Sequence, residues 1–216
     1  MNLTTLLFDL DGTLIDTRAL VVASFQHTFR TVLNLDISAE EVLNDYGRPL
    51  TYSFGRYTKN PEIIEEMLQV YRQHNLAVHD QMALPFPFIN DDLKAFQQAG
   101  YVMGIVSSKK RPTVMKGIRL FHMEPFFQIY VCEEDTKIHK PQAEPLLEAC
   151  RIMQIDPSTV VYVGDSPYDI LCAKAAGAHS AAVMWSNFPA AVWDELKPDY
   201  RLLRLADLLS YLKFSP

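Results

Sequence analysis

The chain has 216 residues, of which 49% are hydrophobic and 21% charged, and its formal net charge is −6. This length suits one core domain with a sizeable insertion, and the composition is ordinary for a globular protein. The acidic balance argues against a nucleic-acid partner, which would favour a clustered basic face. No apolar run approaches the roughly 18 residues of a membrane span.

The first half of the chain is predicted to hold one strand followed by helices. Residues 6–8 are short and apolar and end at an aspartate, which is typical of a buried strand. Residues 17–34 and 61–80 repeat apolar side chains at helical spacing. We therefore expect residues 17–80 to be helical without a strand.

Beyond the stiff Leu84–Pro87 connection, the pattern alternates between strands and helices. Asn90 is predicted to cap the first of these helices. The predicted strands are 101–106, 128–132, 160–163 and 180–185, and the predicted helices are 91–99, one starting at 109–112, 141–153, 167–176 and 206–212. Such alternation implies a parallel sheet covered by helices on both faces.

The predicted fold class is therefore α/β, with a Rossmann-like, doubly wound parallel sheet as the core. The core is assigned to residues 1–16 and 81–216, and the helical residues 17–80 form an insertion after the first strand. In open parallel sheets, sites form beyond the carboxyl ends of the strands. Functional residues should thus follow the apolar runs.

Polar residues do follow three of the predicted strands. Asp9 follows the first strand, Ser107 and Ser108 follow the strand that ends at residue 106, and Asp165 follows the strand at 160–163. Lys140 stands just ahead of a predicted helix. Aspartates suit Mg²⁺, a hard cation that prefers oxygen ligands, whereas hydroxyl and ammonium groups suit phosphoryl oxygens.

Asp9 and Asp11 stand two residues apart, directly before Gly12. Two converging carboxylates repel each other unless a positive charge lies between them. One aspartate can act as a nucleophile through an aspartyl-phosphate, and a second can transfer protons. The alternative is a surface turn, since Asp and Gly are common turn residues.

Other candidates also have a structural alternative. Ser166 and Asp169 fit a capping box, and capping is compatible with a role in the site. Residues 109–111 are predicted to be a solvated helix start. Arg48 is expected to be a loop residue, with an anion-reading role left open. The cysteines, which are odd in number and lack a C-x-x-C pair, predict buried reduced thiols in a cytoplasmic protein.

Four short motifs together resemble the haloacid dehalogenase superfamily over nearly the whole chain. They are FDLDGTLIDT at 8–17, IVSSK at 105–109, KPQAEP at 140–145 and GDSPYDI at 164–170. The first and fourth motifs are highly specific, while the second and third are weak alone.

The resemblance implies metal-binding and catalytic roles for the aspartates. Asp9 would be the nucleophile and a Mg²⁺ ligand, and Asp11 would be the general acid/base with its backbone carbonyl on the metal. Asp165 would be the third protein ligand, and Asp169 would support the water shell of the metal.

The resemblance also implies that Ser107, Ser108 and Lys140 bind the phosphoryl group. Residues 17–80 would be a small all-helical cap that excludes water from the site. The expected partner is a small phosphorylated metabolite, without a nucleic acid or a membrane, and the protein would be a monomer or a homodimer.

Single residues distinguish several branches of the superfamily. Dehalogenases lack an acid at the place of Asp11, so its presence indicates phosphoryl transfer. A phosphonatase would carry a Schiff-base lysine in the cap. Residues 17–80 contain a single lysine, Lys59, so only one residue could serve this role and the phosphonatase branch is disfavoured. The β-phosphoglucomutase branch shares all four motifs and stays an alternative.

The small cap and the loop at 47–50 resemble phosphoglycolate phosphatases and related cytosolic pyrophosphatases. The first predicted substrate is 2-phosphoglycolate, followed by pyrophosphate or a sugar phosphate. The chain departs from the family at Ser107-Ser108, where Thr-Asn is frequent, and at Phe88, where Gly is frequent. Because Phe88 is not expected to adopt the dihedrals open to glycine, the local turn is predicted to differ.

Two other classes of protein fit less well. A signalling receiver domain also groups Asp, Ser/Thr and Lys around Mg²⁺, but its order leaves no place for Asp165 and Asp169 after Lys140. A non-catalytic binding protein is disfavoured because Asp9 and Asp11 are both intact.

Overall fold

The computed structural model describes residues 3–213, which form two compact units. One unit comprises residues 3–15 and 85–213, and the other is Asp16–Leu84. The insertion was predicted to end at residue 80. The second unit extends to Leu84, and its last helix continues to Met82.

The strands are β1 (Thr5–Phe8), β2 (Ile15–Asp16), β3 (Leu84–Pro85), β4 (Val102–Val106), β5 (Ile129–Val131), β6 (Val160–Gly164), β7 (His179–Val183) and β8 (Tyr200–Leu202). The α-helices are α1 (Arg18–Thr28), α2 (Ala39–Asn44), α3 (Leu50–Phe54), α4 (Pro61–Met82), α5 (Ile89–Gln98), α6 (Arg111–Leu120), α7 (Glu144–Met153), α8 (Pro167–Ala176), α9 (Ala190–Leu196) and α10 (Asp207–Lys213).

The first unit is built on a six-stranded sheet in the order β5-β4-β1-β6-β7-β8. Neighbouring strands are parallel throughout, and β1 lies between β4 and β6. At the end of β1, Phe8 lies opposite Ile105 on one side and Val163 on the other. This arrangement confirms the predicted α/β class with a parallel sheet.

Apolar side chains explain why β1 occupies the middle of the sheet. Leu6, Leu7 and Phe8 are completely buried, as a strand covered by helices on both faces requires. The core beside β1 includes Leu146 of α7 and Cys172 of α8. The sheet therefore holds β1, and the residues that follow it, in a rigid setting.

All three cysteines are free and buried. Burial raises the pKa of Cys132 and of Cys172 to about 12, and that of Cys150 to about 11. These thiols stay protonated at neutral pH and act as small apolar packing groups.

The second unit has its own aromatic core. Phe25 and Phe29 near the end of α1 pack with Phe54 of α3 and Tyr71 of α4. The ring centroids of Phe25 and Phe54 are 5.2 Å apart, and those of Phe25 and Tyr71 are 5.3 Å apart. This core buries apolar side chains from α1, α3 and α4 within Asp16–Leu84 itself.

The expectations at the start of α5 were wrong in two respects. Phe88 adopts the left-handed conformation, with φ 63°, and serves as the N-cap in place of Asn90. Its carbonyl accepts the backbone N–H of Asp92 at 2.9 Å, and the guanidinium of Arg204 lies 4.6 Å from its ring centroid. Asn90 instead donates its side-chain amide to the carbonyl of Phe121.

Across residues 3–213, no helix combines the length and apolarity that crossing a membrane would require.

Candidate active site

The ends of three neighbouring strands bring predicted site residues to one edge of the sheet. Asp9 directly follows β1, and its backbone N–H donates to the carbonyl of Val163 at 2.9 Å. Ser107 directly follows β4, and its N–H donates to the carbonyl of Val131 at 2.9 Å. Asp165 directly follows β6. The sheet hydrogen bonding thus continues into the residues of the candidate site.

Asp9, Asp165 and Asp169 form an acidic cluster. One carboxylate oxygen from each lies within 4.8 Å of the others. The three residues are only 7%, 2% and 0% exposed. Carboxylates this close and this buried are unfavourable unless positive charge compensates them.

Lys140 supplies part of that positive charge. Its Nζ lies 3.0 Å from Oδ1 of Asp9 and donates to Oδ1 of Asp169 at 2.7 Å. The Lys140 side chain is almost completely buried. Lys140 is therefore not a solvated surface charge.

Tyr162 of β6 orients Lys140 from inside the core, a role the sequence did not indicate. The Nζ of Lys140 donates to the Tyr162 hydroxyl at 3.1 Å, and that hydroxyl donates to the carbonyl of Val106 at 2.8 Å. The apolar sequence of a strand does not indicate that the hydroxyl of its tyrosine accepts a hydrogen bond from a lysine in a distant loop.

Asp169 combines the capping role with a place in the cluster. Its Oδ2 accepts the backbone N–H of Ser166 at 3.0 Å and the Ser166 hydroxyl at 2.6 Å, completing the predicted capping box at the start of α8. Its Oδ1 accepts from Lys140. Both oxygens of Asp169 are therefore already engaged by protein groups.

Burial dominates the electrostatics of the acidic cluster. It raises the pKa of Asp9 to about 7, although the charge of Lys140 opposes this rise. It also raises the pKa of Asp165 well above its usual range, and the charges of Asp169 and Asp9 add to the effect. Burial would lower the pKa of Lys140, but Asp169 and Asp9 raise it well above its ordinary value.

Asp11 is paired with a lysine that was expected to be solvated. The Nζ of Lys109 donates to Oδ1 of Asp11 at 2.8 Å, and the two side chains are 18% and 16% exposed. The prediction of a solvated helix start was thus wrong for Lys109. It holds for the neighbouring Lys110, which is exposed and is the N-cap of α6.

The other predicted residues have these positions. The hydroxyl of Ser107 accepts the backbone N–H of Lys109 at 3.3 Å, and Ser108 is half-buried between them. Arg48 belongs to the unit Asp16–Leu84, where its guanidinium lies 4.3 Å from the ring centroid of Tyr52. Phosphoryl binding by the serines and substrate reading by Arg48 stay predictions.

The donor set fits a divalent cation. Four carboxylates and two ammonium groups give a formal charge of −2 when all are ionised; they are Asp9, Asp11, Asp165, Asp169, Lys109 and Lys140. One divalent cation would neutralise that charge, and carboxylate oxygens suit a hard ion.

Gly12 is required beside this cluster. Its φ is 78°, and a Cβ at this position would collide with the carboxylate of Asp165. The backbone between Asp11 and Thr13 can therefore approach Asp165 closely only because residue 12 lacks a side chain.

Known proteins resemble this chain along almost its whole length. A family model described as haloacid dehalogenase-like hydrolase matches residues 6–183. Pyrophosphatase PpaX of Bacillus pumilus is 38% identical over 209 residues, covering 97% of this chain and 96% of the relative. Pyrophosphatase PpaX of Halalkalibacterium halodurans has the same identity and coverage over 209 residues. A solved haloacid dehalogenase-like hydrolase from Streptococcus pneumoniae is 26% identical, with a TM-score of 0.86 and coverage of 97% of this chain and 98% of its own.

Proposed function

This chain belongs to the haloacid dehalogenase-like hydrolase family, and from that premise we propose that it is a Mg²⁺-dependent pyrophosphatase acting through an aspartyl-phosphate on Asp9. The family and the relatives identify it as a phosphatase. The observation that carries the mechanism is the buried carboxylate of Asp9, which lies against Lys140 and beside Asp165.

The choice of pyrophosphate rests on the relatives. The sequence predicted 2-phosphoglycolate first and pyrophosphate among the alternatives. Two relatives that match nearly the whole chain at 38% identity are named pyrophosphatases. We therefore place pyrophosphate first, and 2-phosphoglycolate becomes the second substrate to be tested.

In the first half-reaction, a carboxylate oxygen of Asp9 attacks one phosphorus of pyrophosphate. The bond from that phosphorus to the bridging oxygen breaks, and the electron pair leaves on the second phosphate. Asp11, in its protonated form, gives a proton to this leaving oxygen. The products are an aspartyl-phosphate on Asp9 and one free phosphate.

In the second half-reaction, water attacks the phosphorus of the aspartyl-phosphate. Asp11 accepts the proton that the water releases, and the bond between the phosphorus and Asp9 breaks. The second phosphate leaves, and both aspartates return to their starting forms. One pyrophosphate and one water thus give two phosphates.

Lys140 has a defined task in this scheme. It lies 3.0 Å from Asp9 and would donate to oxygens of the phosphoryl group that Asp9 attacks. Ser107, at the end of the neighbouring strand, would donate its hydroxyl to the same group. Asp9, Asp165 and the backbone carbonyl of Asp11 would hold Mg²⁺, which when bound neutralises charge on the phosphoryl oxygens.

We assign the second unit, Asp16–Leu84, the role of a cap that selects the substrate. Arg48 is the residue to test first there. Its planar guanidinium can bind an anion in bidentate fashion. The assignment rests on the family resemblance and on the separate core of this unit.

Phosphate release by the full-length chain tests the proposal. The panel holds pyrophosphate, 2-phosphoglycolate and a sugar phosphate, each with Mg²⁺ or with EDTA. Asp9→Asn is the test variant, and Asp91→Asn, the same change at an exposed residue, is the matched control. We expect pyrophosphate to give the highest kcat/KM, and release to require both Mg²⁺ and Asp9.

Each other outcome has a definite meaning. A highest kcat/KM for 2-phosphoglycolate would replace the substrate and keep the mechanism. Undiminished release by Asp9→Asn would overturn the mechanism. Phosphoryl exchange between sugar phosphates without release would identify a mutase.

A further inference from the structure

We infer that Lys109 is a specificity residue that binds a negatively charged leaving group. The inference deepens the proposed function and rests on it, because it concerns the part of the substrate that departs when Asp9 is phosphorylated. It starts from one contact, the ion pair between Lys109 and Asp11.

The backbone of Lys109 is fixed from both sides. Its N–H donates to the hydroxyl of Ser107 at 3.3 Å, and its carbonyl accepts the N–H of Glu133 at 2.9 Å. A loop held in this way presents the Lys109 side chain in a defined direction. The direction is toward Asp11, whose Oδ1 lies 2.8 Å from Nζ.

Asp11 locates Lys109 relative to the substrate. A group that exchanges a proton with the leaving oxygen must come within roughly 3 Å of it. The Nζ of Lys109 lies 2.8 Å from Oδ1 of Asp11, so it is within about 6 Å of that leaving oxygen if Oδ1 exchanges the proton and within about 8 Å if Oδ2 does. In pyrophosphate, the leaving oxygen carries a second phosphoryl group, whose outer oxygens extend further and fall within reach of Nζ.

The Lys109 ammonium has more N–H donors than its contact with Asp11 uses. It has three N–H groups, and within residues 3–213 one of them donates to Asp11. Its side chain is largely buried, where a charge-assisted hydrogen bond is stronger than in open water. Lys140 already serves Asp9 and Asp169, so a second cation is needed for a leaving group that is itself an anion.

The alternative is that Lys109 only positions Asp11. That role would affect every substrate equally, because each of them depends on proton transfer at Asp11. If Lys109 instead binds the charge of the leaving group, its loss would lower kcat/KM only for certain substrates. These are the substrates whose leaving group carries a charge in addition to that on the departing oxygen. A comparison of substrates therefore separates the two roles.

The experiment compares Lys109→Met with Lys110→Met, the same change at the exposed neighbour. Substrates are pyrophosphate, 2-phosphoglycolate and ethyl phosphate, an alkyl ester whose leaving oxygen also needs a proton but whose leaving group has no such additional charge. We expect Lys109→Met to lower kcat/KM for the better anionic substrate by roughly 10- to 100-fold, the loss of one charge-assisted hydrogen bond. For ethyl phosphate we expect less than about a threefold change. Lys109→Gln serves if the methionine variant does not fold.

Binding of methylenediphosphonate, an uncleavable analogue of pyrophosphate, gives a readout independent of turnover. We expect Lys109→Met to weaken its binding in the presence of Mg²⁺ by roughly the same factor as kcat/KM, while methylphosphonate binding is unchanged. Equal losses for all substrates, or unchanged diphosphonate binding, would overturn the inference. If wild-type protein prefers 2-phosphoglycolate, the proposed substrate fails, but the ratio between variants still decides the role of Lys109.

Discussion

Replacing Lys140 by methionine removes the ammonium that contacts Asp9 and Asp169 at 3.0 and 2.7 Å. The volume of the side chain is nearly kept, so the main loss is charge. Removing one partner of a buried ion pair typically costs about 3–5 kcal/mol, because the other charge stays buried and unpaired. For a chain of this size, that corresponds to a fall in Tm of roughly 6–20 °C.

Thermal unfolding in EDTA measures this loss, with Lys110→Met as the control for the same chemical change at an exposed site. We expect the control to stay within about 1–2 °C of the wild type. Adding Mg²⁺ should then raise the Tm of Lys140→Met more than that of the wild type, since the acidic cluster without its lysine attracts a cation more strongly.

Two results would refute this reasoning. The first is a Tm for Lys140→Met in EDTA within about 2 °C of the wild type, which would mean that the cluster does not need the ammonium. The second is an equal effect of Mg²⁺ on both proteins, which would mean that the cation binds away from Lys140. The first result would overturn the stabilising role of Lys140, and the second would overturn the acidic cluster as the metal site.

Three further substitutions test other contacts. Tyr162→Phe should lower kcat by roughly tenfold with little change in KM, because Lys140 loses one of its fixed partners; steady-state kinetics with pyrophosphate measures both constants. Thr13→Val should stabilise the protein by about 1 kcal/mol in a denaturation experiment, because the buried Thr13 hydroxyl has no hydrogen-bond partner within residues 3–213 and such a group is costly. Burial lowers the pKa of His74, and the nearby His27 lowers it further. The unfolded chain therefore binds a proton at His74 more tightly, and stability should fall as pH drops below about 6.5; His74→Gln should flatten that part of the Tm–pH curve.

The sheet was largely predictable because its strands are short apolar runs that end at polar residues. The edge strand β8 was missed, since Tyr200–Leu202 has only three residues and an exposed Arg201 in its middle. Phe88 was misjudged for another reason. Its left-handed conformation is accompanied by a contact with Arg204, and spacing along the chain does not reveal that contact.

The candidate site was predictable where a residue directly follows a strand, and not where its role depends on a distant partner. Asp9 and Asp165 belong to the first group. Lys109 belongs to the second, because its partner Asp11 is 98 positions away. Tyr162 and Lys140 are 22 positions apart, and nothing in the apolar run of β6 distinguishes this tyrosine from a core residue.

The order of the strands places the residues that follow β1, β4 and β6 without many specific contacts. Lys140 needs several specific contacts to reach the same place. With β1 between β4 and β6, the first residues after these three strands meet at one sheet edge whenever the sheet forms. Lys140 follows no strand. It precedes α7 and comes from a loop, so sheet formation alone does not position it.

The placement of Lys140 depends instead on Asp169 and Tyr162, and each of these is fixed by other means. Asp169 is held by the capping box of α8, and Tyr162 is held by the carbonyl of Val106 at the end of β4. A loss at either support should therefore move the lysine while leaving the sheet and the aspartates after its strands in place. For this reason the phenylalanine variant of Tyr162 is expected to change turnover more than fold, whereas Lys140→Met, which leaves Asp9 and Asp169 buried without their cation, is expected to change both.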